Sequence, residues 1–236
     1  MGFERGVIFM RKGSALLLIF CALFFSTAAW AETQHAKHIR EATALVLEMA
    51  KQDDAAAMGH TVRGAKGIAV FPSMIEAGFG IGGQSGEGVV MARNKNGTWS
   101  GPSFVSLVGG SFGLQIGIAK VGLVLVINND NGMRVFTGGK SFKLGAGIDV
   151  AAGPVGRDAG MGTDSRAKAS IYSYSMSEGA YIGITIKGAT INVNRDANKA
   201  YWNKKTEAKA ALSRPATSKM ITPLIAAFKV LIQKAD

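Results

Sequence analysis

The stretch Ala65–Val90, AKGIAVFPSMIEAGFGIGGQSGEGVV, limits what this chain can fold into more than any other. Gly67 to Phe71 is a short apolar run closed by Pro72, and Ala77 to Gln84 alternates Gly78, Gly80 and Gly82 with Phe79 and Ile81. A period of two predicts strands. Glycine weakens a strand through lost packing and added chain entropy, so a nearly bare face predicts that another backbone or a flat ligand lies close against it. Gln84 to Gly88 supplies the turn chemistry of a hairpin into Val89, Val90 and Met91.

The same grammar returns downstream, where Gly113 and Gly117 share one face and Phe112, Leu114, Ile116 and Ile118 point the other way. The blocks AKGIAVFP, GFGIGG, GEGVV, WSGPSFV, GLQIGI, AAGPVGR (151–157) and YSYSMSEGAYIGITIKG (172–188) together resemble the SYLF domain, over residues 39–202. The resemblance implies binding to phosphoinositide membranes and, by analogy with fungal members, to actin filaments. It makes Lys66 and Arg157, which sit in matching blocks, candidate lipid contacts. It also implies that an N-terminal amphipathic helix enters membranes. Here Glu32 to Arg63 reads as helix, with Ile39, Ala42, Leu45, Val46 and Met49 on one arc, but it carries four basic and five acidic residues. A near-neutral helix with small apolar residues is expected to cover a core instead.

Residues 1–31 read as a signal peptide. Arg11 and Lys12 precede an apolar run from Ala15 to Phe25, and Ala29, Trp30 and Ala31 offer a cleavage site after Ala31. Met10 is the expected start. The single cysteine, Cys21, lies inside the apolar run, where a lipoprotein peptidase would want small neighbours. The exported chain then holds no cysteine, which excludes disulfides, thiol catalysis and cysteine-held metal.

Beyond residue 120, Val121 to Ile127 is a continuous apolar run ended by the turn Asn128 to Gly132. Leu144 to Ala152 alternates loosely and places Asp149 among apolar neighbours as a hydrogen-bonded structural acid. Gly153 to Asp164 is a glycine-rich loop, and Lys168–Tyr174, Ala180–Lys187 and Ala189–Asn194 read as closing strands before a short helix through Tyr201 and Trp202. The expected fold is α+β and β-rich. About nine or ten short, mostly antiparallel strands form a curled sheet or closed barrel-like body with an N-terminal amphipathic helix and a C-terminal helix. Its segments are a helical part at 32–64, a core at 65–202, a basic linker at 203–217 and a C-terminal helix at 218–236.

That C-terminal arm concentrates charge: residues 203–236 carry seven basic and two acidic groups, against thirteen and eight in the much longer 65–202. Thr222 reads as a cap and Pro223 fits the first turn of a helix whose stripe is Ile221, Leu224, Ile225, Phe228, Leu231 and Ile232. Burying such a stripe is worth on the order of 10 kcal/mol, against about 1 kcal/mol for each lysine near an anionic bilayer. The stripe therefore dominates, whether its partner is the protein's own body or lipid.

Other chemistries fail on their details. Gly78 to Gly83 satisfies G-x-G-x-x-G but lies inside a strand pattern with no helix N-terminus to hold a pyrophosphate. Gly139, Lys140 and Ser141 end like a P-loop, yet its first glycine would fall on Arg134. There is no G-x-S-x-G elbow, and His35, His38 and His60 are too few to close a metal site. The expectation is therefore no catalytic residue, no metal and no cofactor.

With a formal charge of +11, the chain favours anionic partners. Export makes nucleic acid a poor one, and actin enters only through the fungal resemblance. The expected function is an exported, periplasmic or envelope-associated protein that binds anionic phospholipid membrane surfaces. Its contact residues are Lys204, Lys205, Lys209, Lys219, Lys229, Leu224, Phe228 and Leu231, with Arg157 and Lys66. The alternative is an envelope structural or protein-interaction module that uses the glycine-rich sheet faces.

Overall fold

A computed structural model describes residues 33–139, 141–153, 169–182 and 186–235; for 79–81, 111–117 and 182 it describes the backbone alone. The expected signal peptide, Cys21, the 154–164 part of the glycine-rich loop and Arg157 lie outside the described residues.

Two long strands set the architecture, β1 (Gly67–Arg93) and β2 (Trp99–Ile127), paired antiparallel from Gly67 with Ile127 to Arg93 with Trp99. Their turn is closed by the Asn94 amide on the Thr98 carbonyl at 2.8 Å, with Gly97 at φ +81°. Glycine takes that left-handed conformation without steric cost.

The hairpin is folded in half. A Cβ on Gly88 would lie 2.6 Å from the Phe71 ring and 2.7 Å from the Val70 carbonyl oxygen, and one on Gly86 would lie 3.0 Å from the Ser73 carbonyl oxygen. The two halves of β1 thus face each other at distances only glycine allows, and for Gly82 of the alternating set the close backbone is the strand's own, since a Cβ there would lie 2.3 Å from the Ala77 carbonyl oxygen. Register shifts at Phe71/Met74, Phe79/Gly80 and Val90/Ala92 bend the ladder. Pro72 sits at the first shift and does not end the strand. Gln84 to Gly88 likewise lies in the ladder, not in a turn, opposite Ser106–Gly109 and Val105.

The rest of the sheet is built on β2. In addition come β3 (Phe142–Lys143), β4 (Val150–Ala152), β5 (Ile171–Ser177), β6 (Ala180–Ile182) and β7 (Thr190–Val193). The order is β3-β7-β2-β5-β4, with β1 on β2 and β6 on β5. The β4–β5 pair is parallel, which makes the curled sheet mixed. The α+β fold is as expected, with seven described strands, because glycine runs that read as strand ends lie inside β1 and β2.

Six helices are described: α1 (Gln34–Met49), α2 (Ala55–Gly64), α3 (Asp130–Thr137), α4 (Arg195–Trp202), α5 (Ala208–Leu212) and α6 (Thr222–Gln233). The expected single helix over 32–63 breaks at Ala50–Asp54, where aspartates compete with the backbone and favour helix ends. The expected turn after Ile127 begins α3 instead, with the Asn129 side chain accepting from the Gly132 amide at 3.0 Å.

Alternation along the strands divides the core in two. Ile68, Val70, Val124 and Val126 face α1, α2 and α6, whereas Ala69, Phe71, Leu123 and Leu125 line the inner cluster with Phe136 and Ile191. The arc read on α1, Ile39, Ala42, Leu45, Val46 and Met49, is buried in the first cluster. Tyr174 pins this layer, its hydroxyl donating to Thr61 at 2.9 Å. Burial raises its pKa, so it stays a neutral donor.

Candidate functional site

The segment after β7 is held by one buried amide. Asn194 caps α4 by accepting from the Ala197 amide at 3.0 Å. One turn later Asn198, fully buried, accepts from the Phe104 amide at 2.9 Å and donates to Ser103 at 3.2 Å. With α4 locked onto β2, the Trp202 indole N–H donates to the Pro102 carbonyl at 3.1 Å. Asn203, at φ +52°, then ends the helix in the left-handed conformation asparagine tolerates.

The expected linker is a structured return. Helix α5 buries Ala208, Ala211 and Leu212. The next residues add a short rung to the start of β2: the Gly101 amide donates to the Arg214 carbonyl at 2.9 Å and the Ala216 amide to the Trp99 carbonyl at 3.1 Å. Arg214 places its guanidinium 4.9 Å from the Trp202 ring centre. Between these parts lies a slot of about 240 Å³ with Gly101, Tyr201 and Trp202 on one side and Pro215, Thr217, Ser218 and Met220 on the other. Burial raises the Tyr201 pKa, partly offset by a hydrogen bond with Ser218, so the slot keeps a neutral phenol. The slot therefore presents aromatic and thioether surface and hydroxyls, with Arg214 stacked on its Trp202, without a nucleophile–base pair among the residues that line it.

Lys204 and Lys205 follow Trp202 and Asn203 in the chain, and Lys219 stands between the slot residues Ser218 and Met220; all three are exposed. Lys209 and Lys229 are also exposed, on the separate helices α5 and α6. Lys66 precedes β1 and pairs with Asp130 at 3.6 Å.

The apolar members of the expected contact set are corrected. Leu224, Phe228 and Leu231 are each 0% exposed. They lie in the cluster shared with α1 and α2, and Phe228 packs on Trp99 with ring centres 4.9 Å apart. Gly59 lets the helices approach, since a Cβ there would lie 2.5 Å from the Leu231 carbonyl oxygen. The Thr222 hydroxyl does not cap α6 but donates back to the Ser218 carbonyl at 3.1 Å, while Pro223 occupies the first turn as expected.

Sequence reasoning left out Tyr201, Trp202, Arg214 and Met220. Two adjacent aromatics at the end of a polar helix were the available signal. Other candidates have structural roles. His38 pairs with Glu87 at 3.1 Å, and His35 sets its edge against Phe104 and Tyr201. No group of three potential metal ligands occurs among the described residues. Asp149 is exposed at the mouth of a cleft of about 430 Å³ that Lys187 also lines, not enclosed by apolar neighbours. Arg93 donates to the Val62 and Arg63 carbonyls at the end of α2, and Arg63 to the Ile232 carbonyl of α6 at 3.1 Å. Such contacts satisfy the last carbonyls of a helix. None of the described helices is long and apolar enough to cross a membrane.

Comparison with known proteins gives these features a family. Residues 108–231 match the Ysc84 family, described as Las17-binding protein actin regulator. LAS seventeen-binding protein 3 of Saccharomyces cerevisiae is 34% identical over 176 residues, covering 72% of this chain and 37% of that protein. Protein YSC84 of the same yeast is 31% identical over 156 residues, 65% of this chain and 33% of the relative. SH3 domain-containing YSC84-like protein 1 of Homo sapiens is 33% identical over 143 residues, 61% and 42% respectively. The matched part of the chain thus spans 33–42% of the length of these relatives. The family match covers more than half of the 236 residues and takes in α4, α5 and nearly all of α6, and the chain belongs to the Ysc84, or SYLF, family.

Proposed function

We propose that this protein is an exported, non-enzymatic binder of anionic phospholipid surfaces, and that the contact is made by the C-terminal arm around the Tyr201–Trp202 slot. The carrying observation is that exposed Lys204, Lys205 and Lys219 immediately flank in sequence a slot lined by Tyr201, Trp202 and Met220, with Arg214 stacked on Trp202. Tryptophan and tyrosine combine an apolar body with a polar tip that suits the headgroup layer. Each lysine held near an anionic surface contributes about 1 kcal/mol. Since the α6 stripe is occupied, the protein rests on the surface through its cations as a folded unit. Lys209 and Lys229 add to the attraction at longer range, an effect that salt screens over a Debye length of about 10 Å at 0.1 M.

Sedimentation with phosphatidylglycerol vesicles tests this. Replacing Lys204, Lys205 and Lys219 together with glutamine should weaken binding about a hundredfold at low salt. Unchanged affinity, or equal affinity for neutral phosphatidylcholine vesicles, would rule it out.

A second reading, a protein-interaction module, is supported by the description of the family as Las17-binding and actin-regulating. Cosedimentation with filamentous actin separates the two, because the lipid reading expects none. The version in which glycine faces stack on a partner is weakened where Gly86 and Gly88 already face the first half of β1.

A further inference from the structure

Among the described residues two arginines are partly buried, and each lies over a tryptophan. Arg93 stands 5.7 Å from the centre of the Trp99 ring and Arg214 4.9 Å from that of Trp202. They differ in what their N–H groups do. Arg93 donates to the Val62 carbonyl at 3.3 Å and to that of Arg63, so its donors close the end of α2. Arg214 makes no side-chain hydrogen bond and no ion pair among the described residues. A guanidinium carries five donors in a fixed plane, and polar groups withdrawn from water are ordinarily paired. One of the two stacks is therefore closed and the other is open.

The backbone holds the open one in place. The Arg214 amide donates to the Ala211 carbonyl at 3.1 Å, and its own carbonyl accepts from the Gly101 amide at 2.9 Å. Pro215, whose ring fixes φ, forms a bridge to Ser100. Trp202 is anchored beside it through the Pro102 carbonyl. Ring and arginine are thus tied to neighbouring residues of β2, which leaves little freedom to lose when a ligand binds. Charge at this place is uncompensated as well. Residues 208–235 contain no Asp or Glu, and neither does the stretch 94–119 that holds Gly101 and Pro102. Glu207, just before, faces Arg195 at 4.0 Å.

An open guanidinium fork matches two oxygens of one phosphate or carboxylate. The surroundings favour phosphate. Exposed Lys204, Lys205 and Lys219 flank in sequence the slot that Trp202 lines, and several cations suit a densely anionic surface better than a lone carboxylate. We propose that Arg214 recognises the headgroup: seated on Trp202, it takes two oxygens of one phosphate group in a bidentate pair, while the lysines supply charge. The inference rests on the lipid contact proposed above and gives it a contact that depends on shape. A lysine in the same place has the charge without the planar fork or the stack.

Sedimentation of Arg214→Lys with phosphatidylglycerol vesicles tests this. Affinity should fall about tenfold with its salt dependence unchanged, since the charge is kept. Arg93→Lys, at the stack whose donors are spent inside the protein, should bind as the unaltered chain does. The indole N–H resonance of Trp202, titrated with inorganic phosphate, separates a headgroup from a free phosphate. A shift that saturates only at millimolar phosphate, and is absent in Arg214→Lys, fits a headgroup held at a surface; saturation at micromolar phosphate assigns the fork to a soluble compound and overturns the headgroup role. Equal vesicle affinity in Arg214→Lys, an equal loss in Arg93→Lys, or the same resonance shift with acetate overturns the fork and leaves the lipid contact standing. Absence of vesicle binding by the unaltered protein overturns both.

Discussion

The two ends of the folded hairpin share one ladder and differ in everything placed on it. Toward the turn, β1 and β2 are buried on both faces, with Val89 and Phe104 under the helices and Val90 and Val105 in the inner cluster. Where the hairpin folds over, the ladder continues through Gly78 opposite Gly117 and Gly80 opposite Gly113, and Ile118 stands in solvent. The difference places the packed core toward the turn of the hairpin.

Substitutions sharpen this contrast. The largest effect is expected for Phe228→Ala, which removes a fully buried ring from its place against Trp99 and should cost about 3–5 kcal/mol in denaturant unfolding. Lys229→Ala on the next residue should stay within about 0.5 kcal/mol. Two individual glycines contrast in the same way. Gly88→Ala drives a Cβ into the Phe71 ring and Val70 carbonyl and should cost about 1–3 kcal/mol. Gly83→Ala meets nothing nearer than the Gly109 carbonyl oxygen at 3.9 Å and should be neutral or stabilising by about 0.5 kcal/mol. Equal losses at both glycines would break the comparison.

Asn198→Ala should cost about 1–3 kcal/mol, because it leaves the Phe104 amide buried without its acceptor. It should also weaken vesicle binding by releasing the Trp202 end of α4. The smallest effect comes from acid. Burial, and secondarily the neighbouring His38, lower the His35 pKa below its ordinary 6.5. The unfolded chain then binds the proton more readily, so stability should fall as pH drops below about 6.5 and be complete above it. Thermal melts across that range should show a shift that His35→Gln reduces.

Local pattern was legible where one interaction decided the outcome. The α1 arc follows the helical period, and every residue on it is buried. Alternating glycine announced a close backbone, which proved to be the first half of the same strand. Strand ends were not legible, because proline and glycine punctuate turns and bulges alike and Pro72 lies at a bulge. Nor does the α6 period distinguish core from bilayer, since both accept the same face; only the approach of α1 and α2 decides it. The slot needs Gly101, Tyr201 and Pro215 to meet, and no local window holds those three.

The central claim is that the protein meets an anionic membrane as a folded unit, through cations of the C-terminal arm, with α6 kept in the core. Amide hydrogen exchange of residues 222–233, with and without phosphatidylglycerol vesicles, tests it most directly. The account predicts unchanged protection in α6 while binding is lost on raising the salt concentration. Loss of α6 protection on binding, with attachment that survives high salt, would contradict it.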